Sequence, residues 1–201
     1  ADGIVPNVDA VTNDPTQGRY IWTVPDIEDN KDENIKLRIR DPADPGAEVI
    51  STTFKIVPKF AVTFPNGNVD PNLTDKLKVG TPYTITWTSS SSQAKTPLVQ
   101  LLYTTTGGAP YTKVITTTNN TGSYSWVTAN GGVPDDISSQ VKIRVLDAAD
   151  SVALDDSNNN LKIISDFTLS VPNGGASPVY EVGDALPSIT WTNKGTVANV
   201  E

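Results

Sequence analysis

The sequence repeats itself, and this repeat constrains the fold more than any other feature. A segment of alternating apolar residues that ends in Pro-Asn-Gly occurs at 54–67 and returns at 161–174, an offset of 107 residues. Because such self-similarity marks copies of one structural unit, the chain should be built from repeats. Three more segments return downstream in the same order: 18–22 at 122–126, 35–39 at 141–145, and 85–88 at 189–192.

The repeat divides the chain into one complete unit and parts of two others. Residues 60–166 form the complete unit. Residues 1–59 match the C-terminal part of such a unit, and residues 167–201 match the N-terminal part of the next one. We therefore expect both partial units to fold like the matching strands of the complete unit.

Each unit is predicted to be an immunoglobulin-like β-sandwich. Unit 60–166 contains seven segments in which apolar and polar residues alternate, as in strands with one buried face. Residues 83–88, for example, alternate Tyr83, Ile85 and Trp87 with threonine. Seven short strands in about 100 residues are typical of an Ig-like sandwich. The predicted fold class is therefore all-β, in tandem Ig-like repeats of about seven strands each.

Tryptophan should form much of the core, because the chain has no cysteine and hence no disulfide to join the sheets. Each unit supplies two tryptophans, Trp87 and Trp126 in the complete unit, with Trp191 and Trp22 as their equivalents. Each of Trp87 and Trp126 lies on the same face of its strand as apolar neighbours, which favours a core position. The alternative is that they are exposed platforms on which sugars stack.

Composition excludes several classes of function. With no cysteine and no histidine, the chain has no thiol nucleophile, no imidazole base and no Cys/His zinc site, so we expect a protein that is not an enzyme. A net charge of -8 disfavours nucleic acid as a partner, since it repels phosphate. The longest apolar runs, such as 60–64, are too short for membrane insertion.

Carboxylates clustered in a predicted acidic loop at 147–156 offer a candidate calcium site, because Ca²⁺ takes six to eight oxygen ligands. The alternative is that these aspartates cap backbone amides in turns. Paired carboxylates can also act in glycoside hydrolysis, but nothing in the sequence places a pair across a cleft. No catalytic residue and no other cofactor is predicted. The candidate ligands are Asp147, Asp150, Asp155 and Asp156, with Asp41, Asp44 and Glu48 as their counterparts in the preceding unit.

Two asparagines, Asn72 and Asn119, begin triplets that match the N-glycosylation acceptor motif. Such triplets also arise by chance in a chain rich in Asn and Thr. The threonine runs 104–106 and 116–118 are candidates for O-linked sugars, and β-propensity explains them equally well.

Six motifs follow one another in an order that resembles a known family. They lie at 60–67, 79–80, 85–88, 99–103, 122–126 and 141–150. In this order the complete unit is similar to the Ig-like module of the Ser/Thr-rich, glycosylphosphatidylinositol-anchored family in fungal cell-wall synthesis proteins, and to tandem repeats of very large bacterial surface and secreted proteins. The resemblance implies an extracellular or cell-surface sandwich with a scaffolding or adhesive role and no catalytic residues.

The leading hypothesis is therefore a non-enzymatic structural repeat of an extracellular fibre or cell-surface stalk. Its expected partners are adjacent repeats of the same chain or other copies of the chain, joined head to tail so that partial sandwiches complete each other. One alternative is an adhesin module that binds carbohydrate or protein, with surface glycans as partners. Another is an accessory domain of a secreted polysaccharide-acting enzyme.

Overall fold

The computed structural model describes residues 22–24, 35–67, 75–129, 131–173, 180–183, 185 and 188–201. These residues form strands and no helix, so the predicted all-β class is confirmed for them. None of the described segments is a helix that could span a membrane. In chain order the strands are β1 (Arg38–Arg40), β2 (Glu48–Ile50), β3 (Phe60–Phe64), β4 (Lys76–Lys78), β5 (Tyr83–Ser89), β6 (Leu98–Thr104), β7 (Lys113–Asn119), β8 (Ser123–Trp126), β9 (Ser138–Asp147), β10 (Asp150–Asp156), β11 (Leu161–Ile164), β12 (Asp166–Val171) and β13 (Thr190–Lys194).

Strands β3 to β11 form two sheets that enclose one core. The smaller sheet has the order β3-β5-β8, and the larger has the order β4-β11-β9-β6-β7, with β10 also paired to β9. All pairs are antiparallel except β11 with β4. Apolar side chains from both sheets meet in one buried cluster, as expected for a sandwich.

All seven predicted strands of this unit are present, and the structure adds two that the sequence pattern did not reveal. β4 has only three residues, two of them lysines, so it has no readable alternation. β10 carries four charged or hydroxyl side chains and was predicted to be an acidic loop. That prediction was wrong for Asp155 and Asp156, because backbone pairing with β9 holds both in a strand.

The two tryptophans of the complete unit lie in the core, which confirms the core position predicted for them. Trp87 and Trp126 are almost fully buried, and the ring of Trp126 packs on Tyr103 at a centroid distance of 5.0 Å. The Trp87 indole N–H donates to the Asn120 side-chain oxygen at 2.8 Å, so its polar atom is satisfied inside the core. Burial of large aromatic side chains thus supplies the cohesion that a disulfide gives other Ig-like domains.

Strand pair β1-β2 reproduces β9-β10 at an offset of 106 residues. The β1-β2 register joins Arg38 with Ile50, and the β9-β10 register joins Arg144 with Asp156. The bridge between Ile35 and Phe54 likewise corresponds to the pairing of β9 with β11. The pairing of 38–40 with 48–50 therefore matches the pairing of 144–146 with 154–156.

Strand pair β12-β13 reproduces β3-β5 in the same way. Leu169 lies opposite Trp191, as Val62 lies opposite Trp87. Both pairs shift register directly after this position, between Leu169 and Val171 and between Val62 and Phe64. A shared bulge is a specific feature of backbone structure, since it fixes which face each following side chain occupies.

Candidate functional site

The acidic turn between β9 and β10 uses its carboxylates for backbone hydrogen bonds. Asp147 is buried, and its Oδ1 accepts from the Ala149 N–H at 2.9 Å. Asp150 Oδ1 accepts from the Val152 N–H at 3.1 Å, and its Oδ2 lies 2.7 Å from the Lys55 Nζ. These are the contacts of aspartates that cap a turn.

The other two candidate calcium ligands are also engaged. Asp155 Oδ2 accepts from the Val62 N–H at 2.8 Å, which ties β10 to β3 in the opposite sheet. Asp156 receives two hydrogen bonds from Arg144, at 2.6 and 2.8 Å, in a bidentate ion pair. Both side chains therefore hold the sandwich together.

The equivalent turn before β2 repeats the capping pattern. Asp41 Oδ1 accepts from the Ala43 N–H at 2.8 Å, and Asp44 Oδ1 accepts from the Gly46 N–H at 3.0 Å. Glu48 lies exposed in β2. Across the part of the chain that the structure describes, no three acidic, cysteine or histidine side chains are grouped so that they could hold a metal ion.

The candidate glycosylation sites have different positions. Asn119 is exposed at the end of β7, whereas its neighbour Asn120 is buried against Trp87. Asn72 lies outside the described residues. Of the threonine runs, Thr104 is buried and so cannot present its hydroxyl to a modifying enzyme, while Thr117 is exposed.

A polar cluster at the edge of the core joins three charged or polar groups. The Tyr103 hydroxyl donates to Asp136, and Lys113 Nζ lies 2.8 Å from the same carboxylate. Burial, together with the hydrogen bond to Asp136, raises the pKa of Tyr103. Burial acts to raise the pKa of Asp136 as well, but the hydrogen bonds from Lys113 and Tyr103 outweigh it and lower the pKa. The cluster anchors the 131–137 loop to β6 and β7.

A second polar cluster lies on the outer face of β9. The Arg144 guanidinium stacks over the Tyr111 ring at 3.9 Å from its centroid. The hydrogen bonds with Asp156 raise the pKa of Arg144. Burial raises the pKa of Tyr111, and the nearby Asp156 carboxylate acts in the same direction. This arrangement joins β9 to β10 and to the Tyr111 ring.

The most unusual surface is the apolar face of β12-β13. Positions that are buried in β3-β5 are exposed here: Phe167 is 49% exposed where Phe60 is 3%, and Trp191 is 44% exposed where Trp87 is 3%. In the described part of the chain, β12 and β13 pair only with each other. The prediction of a core position for Trp191 is therefore wrong within this chain, because no described strand lies over its ring.

The matching face of β1-β2 is exposed as well. Ile39 is 74% exposed, whereas the equivalent Val145 is fully buried in the complete unit. Leu37 is 45% exposed where Ile143 is fully buried. Trp22 is half-buried, with its ring edge on Phe54 at a centroid distance of 6.5 Å, so the predicted core position is met in part. We call these two surfaces the N-terminal face (Leu37, Ile39) and the C-terminal face (Phe167, Leu169, Ile189, Trp191).

Comparison with known families identifies an Ig-like module. The model of the Kre9/KNH-like N-terminal Ig-like domain matches residues 70–169. This match supports, at a coarse level, the resemblance to an Ig-like cell-wall module, and it falls on the strands from β4 into β12. Neither the curated proteins nor the solved structures gave a significant match.

Sequence reasoning identified Trp191 of the C-terminal face, as a core residue, and missed the contacts that position this face. The repeat marks Trp191 as equivalent to Trp87, but alternation alone cannot tell whether a second sheet covers it. The contacts of Asp135 with Thr196 were missed, because the loop that contains Asp135 varies between the units.

Proposed function

We propose that the chain is a non-enzymatic structural repeat of an extracellular fibre or cell-surface stalk, built from tandem Ig-like sandwiches. The N-terminal and C-terminal faces are parts of sandwiches that become complete when strands of an adjacent repeat, or of another copy, cover them. Units joined in this way stack end to end, so the function of the chain is to span distance.

One observation carries this proposal: equivalent side chains on equivalent backbones differ only in whether they are covered. Trp191 and Trp87 occupy the same register position beside the same bulge, yet one is 44% exposed and the other 3%. A surface that has the residues of a core is an interaction site. The partner that fits it is the sheet that covers its counterpart in the complete unit.

Energetics favour coverage of the C-terminal face. Burying one large apolar side chain contributes about 1.5–3 kcal/mol. Four such side chains form this face, namely Phe167, Leu169, Ile189 and Trp191. In the complete unit the opposing sheet is anchored by β9, and the segment 35–40 carries the equivalent of that strand. Another copy therefore offers a matching partner through its N-terminal face.

Linker length supports a stacked arrangement. A single residue, Ser165, separates β11 of the complete unit from β12. The Ser165 hydroxyl donates to the Lys194 carbonyl at 2.6 Å, so even this residue is fixed. Units that follow each other with so little free chain stack as a semi-rigid rod.

Sedimentation over a wide concentration range tests the proposal, with electron microscopy of the concentrated sample. We expect concentration-dependent association and end-to-end filaments. Trp191→Asp places a charge in the C-terminal face and should abolish association, and Ile39→Asp should do the same from the N-terminal face.

Thr192→Asp is the matched control, since Thr192 neighbours Trp191 in β13 and alternation places it on the opposite face. It adds the same charge and should leave association intact. A chain that stays monomeric at every concentration would contradict head-to-tail completion. Equal loss of association in Trp191→Asp and Thr192→Asp would show that charge, rather than the apolar face, is responsible.

An extracellular or cell-surface location accords with the match to the Kre9/KNH-like Ig-like domain and with the resemblance to cell-wall modules. Binding of surface glycans and a role as an accessory domain are the alternative hypotheses. Fibres that form in the absence of any glycan would favour the structural role over both.

A further inference from the structure

The place where the complete sandwich meets β12-β13 is a small polar junction. Its first contact is between the loop 131–137 and the turn after β13. Asp135 accepts the Thr196 N–H with both carboxylate oxygens, at 3.0 and 2.8 Å, and it accepts the Thr196 hydroxyl at 2.6 Å. One carboxylate thus accepts both donors of one residue, the N–H in a bifurcated bond and the hydroxyl in a short one, and so holds that turn against the loop.

A second pair of contacts lies on the neighbouring side of the junction. Lys78 Nζ lies 2.7 Å from Asp166 Oδ1 at the start of β12. Lys194 Nζ donates to the Gly80 carbonyl at 3.4 Å. These contacts tie the first residue of β12 and the last residue of β13 to the sandwich.

Backbone approach at the junction is close. Gly195 has a φ of +96°, and a Cβ built on it would lie 3.1 Å from Asp135 Oδ1 and 3.2 Å from both Ile137 Cδ1 and Val79 Cγ2. Glycine at this position therefore serves the contact itself, since a side chain would meet three atoms of the sandwich.

A pocket of about 390 Å³ opens beside the junction and is lined in part by Val79, Pro134 and Lys194. Successive domains move relative to each other unless the interface between them is large and apolar. Because the pocket leaves open space here, we expect the direction of β12-β13 to depend on the contacts that Asp135 and Lys78 make.

We infer that Asp135, assisted by Lys78, is the positioning residue that fixes the angle between this sandwich and the one that begins at β12. The docking surface is the 131–137 loop, and its partner is the Gly195-Thr196 turn of the following repeat. This inference gives the proposed rod its stiffness, but it concerns contacts within one chain and does not require association between chains.

Distance measurement between two spin labels tests the inference directly. Because the chain has no cysteine, Thr117→Cys and Thr168→Cys introduce the only two labelling sites, on exposed strand positions of the sandwich and of β12. We expect a single narrow distance distribution. Combining Asp135→Ala with Lys78→Ala should remove the narrow peak and replace it with a broad one.

Two controls keep the result specific. Glu48→Ala removes an exposed carboxylate of β2 and should leave the distribution narrow. A label pair at Thr117 and Thr84, both in the complete sandwich, should stay narrow in every variant and so reports that this unit is folded. A narrow, unshifted Thr117–Thr168 distribution in the Asp135→Ala, Lys78→Ala variant would overturn the inference.

Failure of the proposed function would look different. The labels are measured at concentrations where the chain is monomeric, so a broad distribution in the variant supports the junction whether or not filaments form. Filaments that form while the junction variant keeps its narrow distance would refute the junction alone.

Discussion

Replacing Trp87 or Trp191 by alanine compares the stability cost of losing a tryptophan at two equivalent positions, one buried and one exposed. The two residues share register, bulge and neighbouring Ile-Thr sequence, but Trp87 is buried and Trp191 is 44% exposed. Trp87→Ala should cost about 3–5 kcal/mol, the range for deleting a buried large aromatic side chain. It also removes the donor to the buried Asn120 oxygen, which adds to the cost.

Trp191→Ala should cost about 1 kcal/mol or less in a dilute sample, since nearly half of its side chain is already in water. Urea unfolding followed by far-UV circular dichroism measures both. With a slope of about 2 kcal/mol per M in urea, Trp87→Ala lowers the midpoint by roughly 2 M. Trp191→Ala should leave it almost unchanged.

Trp87→Phe is the intermediate control, because it keeps most of the apolar volume and loses the indole hydrogen bond. Its cost should fall between those of the alanine variant and the wild type. Equal costs for Trp87→Ala and Trp191→Ala would refute the reasoning, since exposure would then not decide the contribution. A cost below 1 kcal/mol for Trp87→Ala would show that its burial does not stabilise the sandwich.

Three further outcomes are expected. Because the pKa of Asp136 is lowered in the folded state, this carboxylate contributes its full stability above the ordinary carboxyl pKa of 3.8, and the contribution is lost as the pH falls below that value toward the lowered pKa. Asp136→Asn should therefore flatten the acid limb of the pH–stability curve. An unchanged acid limb would contradict this. The raised pKa of Tyr103 predicts a loss of stability on the alkaline limb, beginning as the pH rises above about 10. Tyr103→Phe should remove that loss in thermal melts at alkaline pH. EDTA should leave the melting temperature unchanged, because Asp147 and Asp155 already accept backbone N–H groups; a lower melting temperature would revive the calcium hypothesis.

Sequence pattern predicted the strands whose side chains alternate and could not predict those held by backbone alone. Residues 83–88 show their buried face directly, so β5 was predictable. β10 was not, because pairing with β9 holds it in place while its aspartates read as a loop. The same holds for the candidate metal site: Asp155 is bound to the Val62 N–H, 93 residues away in sequence, and no local pattern reveals such a partner.

Repetition predicted equivalence of backbone but not of burial, and this difference has a physical basis. Register and bulge depend on local pairing, and so β12-β13 copies β3-β5 within one chain. Burial depends on a second sheet that packs against the first. In the described part of the chain, no second sheet covers the C-terminal face.

The junction and the C-terminal face act on the same strand pair. An isolated pair of strands is at best marginally stable in water, so β12-β13 depends on contacts with the sandwich before it. The hydrogen bonds of Asp135 to Thr196 supply such contacts at the end of β13. A strand pair held in its final register has less conformational entropy to lose when another sheet covers it. Loosening the junction should therefore weaken completion of the next sandwich even though Asp135 lies outside the face that is covered, and association measured for Asp135→Ala should fall between that of the wild type and that of Trp191→Asp.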